Sequence, residues 1–180
     1  VTSEVTQHHL ALHTGLMKPY DSNYKMKPPL RCDHDVEAVI EGVVNGAVDC
    51  LATDHAPHAG DDKMQEFEKC PFGIIGLETA LGVSLEVLVH PGRIPLPRLV
   101  ALYTSEPARV MGWMGQRERG TLRVGVKANV TVFHAEYPWT YDVSRSESKS
   151  RNSPFNGRTF RGGPIATIVG GEVVWKAGGF

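Results

Sequence analysis

The stretch Ala52-Thr53-Asp54-His55-Ala56-Pro57-His58 places three groups able to bind a metal or carry a proton within five residues. It overlaps an apolar run, Val48 to Thr53, of the kind that forms a buried strand. Asp54, His55 and His58 therefore fall where that strand ends, at the mouth of a parallel sheet or barrel. An Asp in such a place can ligate a divalent metal through one oxygen and accept a proton on the other, serving as ligand and general base together. Pro57 stiffens the turn and fixes the direction of His58. On spacing alone a plainer reading stands level with this one: Asp54 caps the next turn and the histidines are ordinary loop residues.

A second stretch is Asn23-Tyr24-Lys25-Met26-Lys27-Pro28-Pro29-Leu30-Arg31. Its two prolines hold the backbone extended, so Lys27 or Arg31 could be turned toward an anionic substrate. Basic residues beside a Pro-Pro pair are more often simply solvated, and the residues by themselves favour that reading. A third stretch, Cys70-Pro71-Phe72-Gly73-Ile74-Ile75-Gly76-Leu77-Glu78-Thr79, reads as a turn leading into a helix. Glycine lets a backbone approach a ligand closely, and N–H groups at a helix start suit carboxylate or imide oxygens, though Gly73 and Gly76 serve equally as turn residues. His8 and His9 are adjacent on what reads as an extended segment. Their side chains would point to opposite sides, so they are read as packing or supporting residues rather than as a metal pair.

The elements that must position these groups alternate between strand-like and helix-like up to about Gly112, which favours an α/β layer with parallel strands. Val1 to Val5 reads as a strand already under way with no Met before it, which suggests a truncated beginning. A helix is expected from Asp33, its N-cap, with Val36, Val39, Ile40 and Val43 on one face and Gly46 as its stop. A second is expected from Gly76 to Leu88 with Leu77, Leu81, Leu85 and Leu88 as its buried stripe, and shorter ones over Pro97 to Tyr103 and Pro107 to Met111. Beyond Gly112 the texture turns to β-rich pieces, Thr121 to Val126, Asn129 to Phe133, and Ile165 to Trp175 with a hairpin turn at Gly170-Gly171. Ser144 to Arg158 reads as an exposed polar excursion.

Composition narrows the class. With 180 residues, 41% hydrophobic and 22% charged, the chain is in the globular range. A net charge of -1, from 19 basic and 20 acidic residues, gives no basic field, so nucleic acid is not expected as a partner. No run approaches the ~20 apolar residues of a membrane span, and Val1 to His9 lacks a signal pattern. Cys32, Cys50 and Cys70 are odd in number and too far apart for a CxxC motif, which suits a cytoplasmic, reducing compartment.

Taken in order, Val1-Thr2-Ser3-Glu4-Val5-Thr6-Gln7-His8-His9-Leu10, Lys27-Pro28-Pro29-Leu30-Arg31, Ala52-Thr53-Asp54-His55-Ala56-Pro57-His58 and Pro71-Phe72-Gly73-Ile74-Ile75-Gly76-Leu77-Glu78-Thr79 resemble the bacterial dihydroorotases of the amidohydrolase superfamily. The resemblance runs along essentially the whole chain, with its specificity in the first part. The Asp-His-Ala-Pro-His form separates dihydroorotases from the related hydantoinases and allantoinases. The resemblance implies an α/β fold: residues 1–112 as the C-terminal portion of a (β/α)₈ barrel, and 113–180 as strands of a small β-sandwich domain. A binuclear zinc centre is implied at the barrel's C-terminal mouth.

The reaction implied is the reversible hydrolysis of L-dihydroorotate to N-carbamoyl-L-aspartate in pyrimidine synthesis. In it Asp54 is the last metal ligand and the acid/base, taking a proton from the zinc-bound hydroxide and delivering it to the leaving nitrogen. Lys27, His58, Phe72 and Gly73 match substrate-binding positions, the last two through the backbone. Lys27 is a departure, because the family commonly has Asn there, and Gln7 stands where Pro is usual. The family's remaining zinc ligands belong to sequence outside this chain, and a barrel of ~250 residues does not fit in it, so this piece alone is expected to be inactive. Two other outcomes are a non-catalytic scaffold that partners aspartate carbamoyltransferase and a hydantoinase-like cyclic amidohydrolase. A homo-oligomer is a further possible assembly.

Overall fold

The computed structural model describes residues 1–114 and 120–178. Two short parallel strands, β1 (Glu4–Thr6) and β2 (Cys50–Ala52), pair in the register Glu4↔Cys50, Val5↔Leu51, Thr6↔Ala52. Parallel neighbours need a long crossover, and here it includes α1 (Gln7–Ala11), two single 3₁₀ turns and α2 (Asp33–Val44). The segment from Val1 thus becomes a strand only at Glu4, and His8 and His9 lie on a helix rather than on extended backbone. Their rings are 4.5 Å apart, a correction to the expectation that they point to opposite sides.

In α2 the apolar stripe appears as expected. Ile40 and Val43 are buried and Val36 and Val39 pack against the same core. The N-cap is Cys32, with Asp33 one residue inside, where its charge still faces the helix's positive end. Gly46 follows in the left-handed region, at φ +84°. After β2 come α3 (Gly60–Lys63), α4 (Ala80–Ser84) continuing as a π turn over Leu85–Val89, α5 (Leu96–Tyr103) and α6 (Ser105–Val110). The helix expected from Gly76 begins only at Ala80, leaving Leu77 62% exposed and outside the stripe. Tertiary bonds are the reason: the Gly76 carbonyl accepts from Gln7 Nε2, and the Gly76 amide donates to His55 Nδ1. Gly76 is held at the edge of the Asp54–His58 segment before the helix can start.

The C-terminal part is a three-stranded antiparallel sheet, β3 (Val130–Thr140), β4 (Thr159–Val169) and β5 (Glu172–Lys176). The β4–β5 hairpin turns at Gly170-Gly171, as its sequence predicts, both glycines having positive φ. Thr121 to Val126 forms no strand. The Thr121 hydroxyl accepts from the Arg123 amide and Val126 N–H reaches Arg123 O, so a local turn displaces the ladder, with Leu122 80% and Val124 98% exposed. Nor is Ser144 to Arg158 wholly an exposed excursion, because Ser146, Asn152, Ser153 and Phe155 are buried.

Two apolar clusters hold the molecule together. Leu10, Ile40, Val43, Leu51, Leu85, Leu88, Leu99 and Leu102 fill the space between β1–β2 and the helices. Leu12, Tyr24, Met26, Ile74, Val83, Tyr141, Phe155 and Phe160 fasten the C-terminal sheet to the α/β part. Each such fully buried side chain contributes roughly 1.5–3 kcal/mol. Phe160 of β4 lies so close to α4 that a Cβ on Gly82 would sit 2.9 Å from its ring. Cys50 and Cys70 are buried free thiols and Cys32 is exposed. Among the described residues no helix is long and apolar enough to cross a membrane.

Candidate active site

Directly beyond β2 the backbone turns at Asp54, which is exposed and adopts φ +44°. Asp is among the few L-residues that tolerate this region, where its short polar side chain can bond locally. The chain then returns to pairing: His55 bridges Ile74 in parallel, and Ala56 N–H donates to Ile74 O at 2.8 Å. The Asp54–His58 and Phe72–Gly76 segments therefore lie edge to edge, at the end of the strand pair. The Gly76 amide donates to His55 Nδ1 at 3.1 Å, which leaves the proton of a neutral His55 on Nε2.

His58 closes the same edge. Its Nε2 donates to Phe72 O at 2.9 Å, so the Asp-His-Ala-Pro-His stretch and the Pro-Phe-Gly stretch are directly bonded. Gly73 has φ +97°, and a Cβ there would sit 2.6 Å from Ala56 Cβ, so both conformation and space demand glycine. Its N–H donates to Lys25 O and its carbonyl accepts from Asn152 Nδ2 and Lys63 Nζ, so both backbone groups are used inside the protein. The side chain of Phe72 is 48% exposed, with Lys25 Nζ 4.6 Å and Lys27 Nζ 5.8 Å from its ring centroid. Such cation–π contacts are worth roughly 0.5–1 kcal/mol where exposed, enough to gather Lys27 at the same edge.

His9 anchors the lysine stretch. It accepts from Thr6 Oγ1 at Nδ1 and donates from Nε2 to Pro28 O, tying the Lys27-Pro28 segment to the end of β1. The supporting role read for it in the sequence is thereby met. Arg31 is spent elsewhere, in an ion pair with Asp35 at 3.0 Å at the start of α2. His8 is fully buried with neither ring nitrogen partnered, and burial first, then its neighbour His9, lowers its pKa to about 3. Burial thus keeps the ring neutral and packed inside the molecule.

Three residues at this edge escaped the reading of the sequence. Lys63 is buried, donates to Pro71 O and Gly73 O, and has its pKa lowered mainly by desolvation. Lys25 donates to Glu68 O and Cys70 O. Asn152, only 5% exposed, reaches the same turn from far along the chain. Lys63 sits in an acidic, polar stretch that reads as solvent-facing, and Asn152 in a Ser- and Arg-rich one, so no local signal distinguished them. No group of three or more His, Cys, Asp or Glu able to hold a metal occurs among the described residues. Asp54 is therefore a single hard-oxygen donor, short of a complete zinc site.

An open edge after a parallel strand, with an acid, histidines and a tightly turned glycine, fits a hydrolase of the α/β kind. Residues 14–174 match the model of the amidohydrolase family, and the chain belongs to that family. Among curated relatives, a dihydroorotase of Solibacter usitatus is 58% identical over 177 residues, covering 98% of this chain and 40% of that protein. A dihydroorotase of Endomicrobium trichonymphae is 44% identical, over 98% of this chain and 41% of its own length. The fold resembles an L-hydantoinase (dihydropyrimidinase) of Arthrobacter aurescens, with TM-score 0.86 and 32% identity over 98% of this chain and 39% of that one. A dihydropyrimidinase of Brevibacillus agri NCHU1002 aligns with TM-score 0.87 at 26% identity, over 98% of this chain and 39% of its own. The chain thus spans about two fifths of the length of the relatives it matches.

Proposed function

We propose that this chain is the C-terminal part of a dihydroorotase, which opens the cyclic amide of L-dihydroorotate to N-carbamoyl-L-aspartate and closes it again. The observation that carries the reading is the His58 Nε2–Phe72 O bond, which joins two of the stretches resembling dihydroorotases into one edge beside Asp54. In this reading residues 1–112 are the last part of a (β/α)₈ barrel, whose sites lie at the C-terminal ends of its strands, and 113–180 belong to a small β-sandwich domain. The setting is cytoplasmic pyrimidine synthesis.

The family implies a metal cofactor, and we assign it as a pair of zinc ions, with Asp54 as one ligand and the others supplied by the remainder of the protein. Bound zinc would supply Lewis-acid activation of water and of the ring carbonyl. Asp54 moves the proton: its carboxylate takes it from the attacking water and gives it to the ring nitrogen as the C–N bond breaks. Lys27 offers an ammonium to the substrate carboxylate in place of the family's usual Asn. His58, Phe72 and Gly73 form the wall against the ring. Since Gly73 N–H is committed to Lys25 O, the close approach that glycine allows, rather than its amide, is its contribution.

Steady-state assay of the full-length protein with dihydroorotate, N-carbamoyl-L-aspartate and hydantoin tests this directly. Turnover of the first two, with little on hydantoin, is the expected outcome. Preference for hydantoin would replace the reading with a hydantoinase. Inactivity on all three with bound zinc absent would point to a scaffold for aspartate carbamoyltransferase.

A further inference from the structure

Asn152 is 96 positions from one of the atoms it holds, and its side chain bridges the two turns of the site. Its Nδ2 donates to Ala56 O at 2.9 Å and to Gly73 O at 3.2 Å. One carboxamide thus spends both of its protons on carbonyls from the two different turns. Its Oδ1 faces the His58 amide at 3.5 Å, a long contact, and its own backbone carbonyl accepts from Ile75 N–H at 3.1 Å. The side chain is buried, so these bonds are made with little competition from water. Its segment is fastened on both sides. Ser146 Oγ bonds Glu78 Oε1, and Phe155 is sunk in the second apolar cluster.

We infer that Asn152 is a positioning residue that sets the spacing between the Ala56–His58 turn and the Phe72–Gly73 turn, and through them the width of the substrate wall. The inference rests on the reading of those turns as the walls of a cyclic-amide site. The Phe72–Gly73 turn is also held by Lys63 Nζ on Gly73 O, by His58 Nε2 on Phe72 O and by its own bond to Lys25 O, but among the described residues outside the two turns Asn152 alone donates from one side chain to carbonyls of both. Asn152 lies behind the wall, on the carbonyls of Ala56 and Gly73. Its loss should therefore act on binding more than on proton transfer.

The test uses the full-length protein with Asn152→Ala and the milder Asn152→Ser, whose hydroxyl can still serve one carbonyl. Amide hydrogen exchange should quicken at least about tenfold in both 54–58 and 72–76, and stay unchanged in Glu4–Thr6. For Asn152→Ala, KM for dihydroorotate should rise about tenfold, with kcat falling less than about threefold and its pH profile unmoved. The Ala effect on KM should largely vanish in a His58→Ala background, because both changes act on one wall. Unchanged exchange at the two turns, a general loosening that includes β1, failure of both variants to fold, or full additivity with His58→Ala would each overturn the inference. If the wild-type protein does not act on dihydroorotate, the substrate reading fails, and the exchange measurement still decides whether Asn152 couples the turns.

Discussion

Asp54 combines an exposed carboxylate with a left-handed backbone at the end of β2, a sparsely populated conformation of the kind that clusters at functional sites. Asp54→Asn keeps the shape and removes both the charge and the proposed proton carrier. A positioned acid/base contributes roughly 10²–10⁴-fold, and weakened metal binding adds to the loss, so turnover in the full-length protein should fall at least about a thousandfold in both directions. Steady-state kinetics on metal-replete protein checks this, and retention of more than about a tenth of wild-type turnover would remove Asp54 from the acid/base role. Lys27→Asn should behave differently, since it changes a residue proposed to meet the substrate carboxylate rather than the proposed proton carrier. Its expected effect is on KM, with kcat within about threefold of the parent. An equal loss in kcat would mean that Lys27 takes part in the chemistry.

Between elements, the site depends on two segments meeting edge to edge at a place where there is no room for a side chain. Gly73→Ala must strain a backbone at φ +97° and push Ala56 aside from a 2.6 Å approach. Strain of this kind costs of order 1–3 kcal/mol, and because Ala56 lies between Asp54 and His58, the displacement reaches the candidate catalytic residues. The expected result is a fall in Tm of several degrees together with a raised KM. A variant with parental KM and Tm would show that the close approach of the two turns is unimportant. Gly162 offers a comparison away from the site: it also has positive φ, +90°, and its Cβ would lie 2.4 Å from Ala135 O. Gly162→Ala should lower Tm by disturbing the β3–β4 bulge while leaving KM in place.

Across the molecule, His8 makes stability depend on pH. Its pKa in the folded state is lowered to about 3 from 6.5, so between those values the unfolded chain binds a proton that the folded one does not. Stability from this group is complete above pH 6.5 and is lost as pH falls toward 3, by an amount on the order of 5 kcal/mol at the acid end. His8→Leu removes the titrating ring and its two unpartnered nitrogens. Thermal unfolding at pH 7 and pH 4.5 should show a smaller acid-induced drop in Tm for the variant than for the parent. Equal drops would mean that the ring gains a proton without disturbing the core.

The α2 stripe of Ile40 and Val43, the hairpin at Gly170-Gly171 and the cluster from Asp54 to His58 were all legible in the sequence. Helical periodicity, turn chemistry and motif spacing are written within a few neighbouring residues. Tertiary structure alone decided what depends on distant partners. Gln7 and His55 hold Gly76 and delay the helix until Ala80, leaving Leu77 in solvent. Lys63 and Asn152 are buried because carbonyls of the Phe72–Gly73 turn take their donors, whereas the polarity of Ser144 to Arg158 reads as an exposed excursion and no local pattern points to Lys63. A local pattern records which face of an element is apolar; it holds no record of which unpaired carbonyl, 96 positions away, will find the one side chain that can satisfy it.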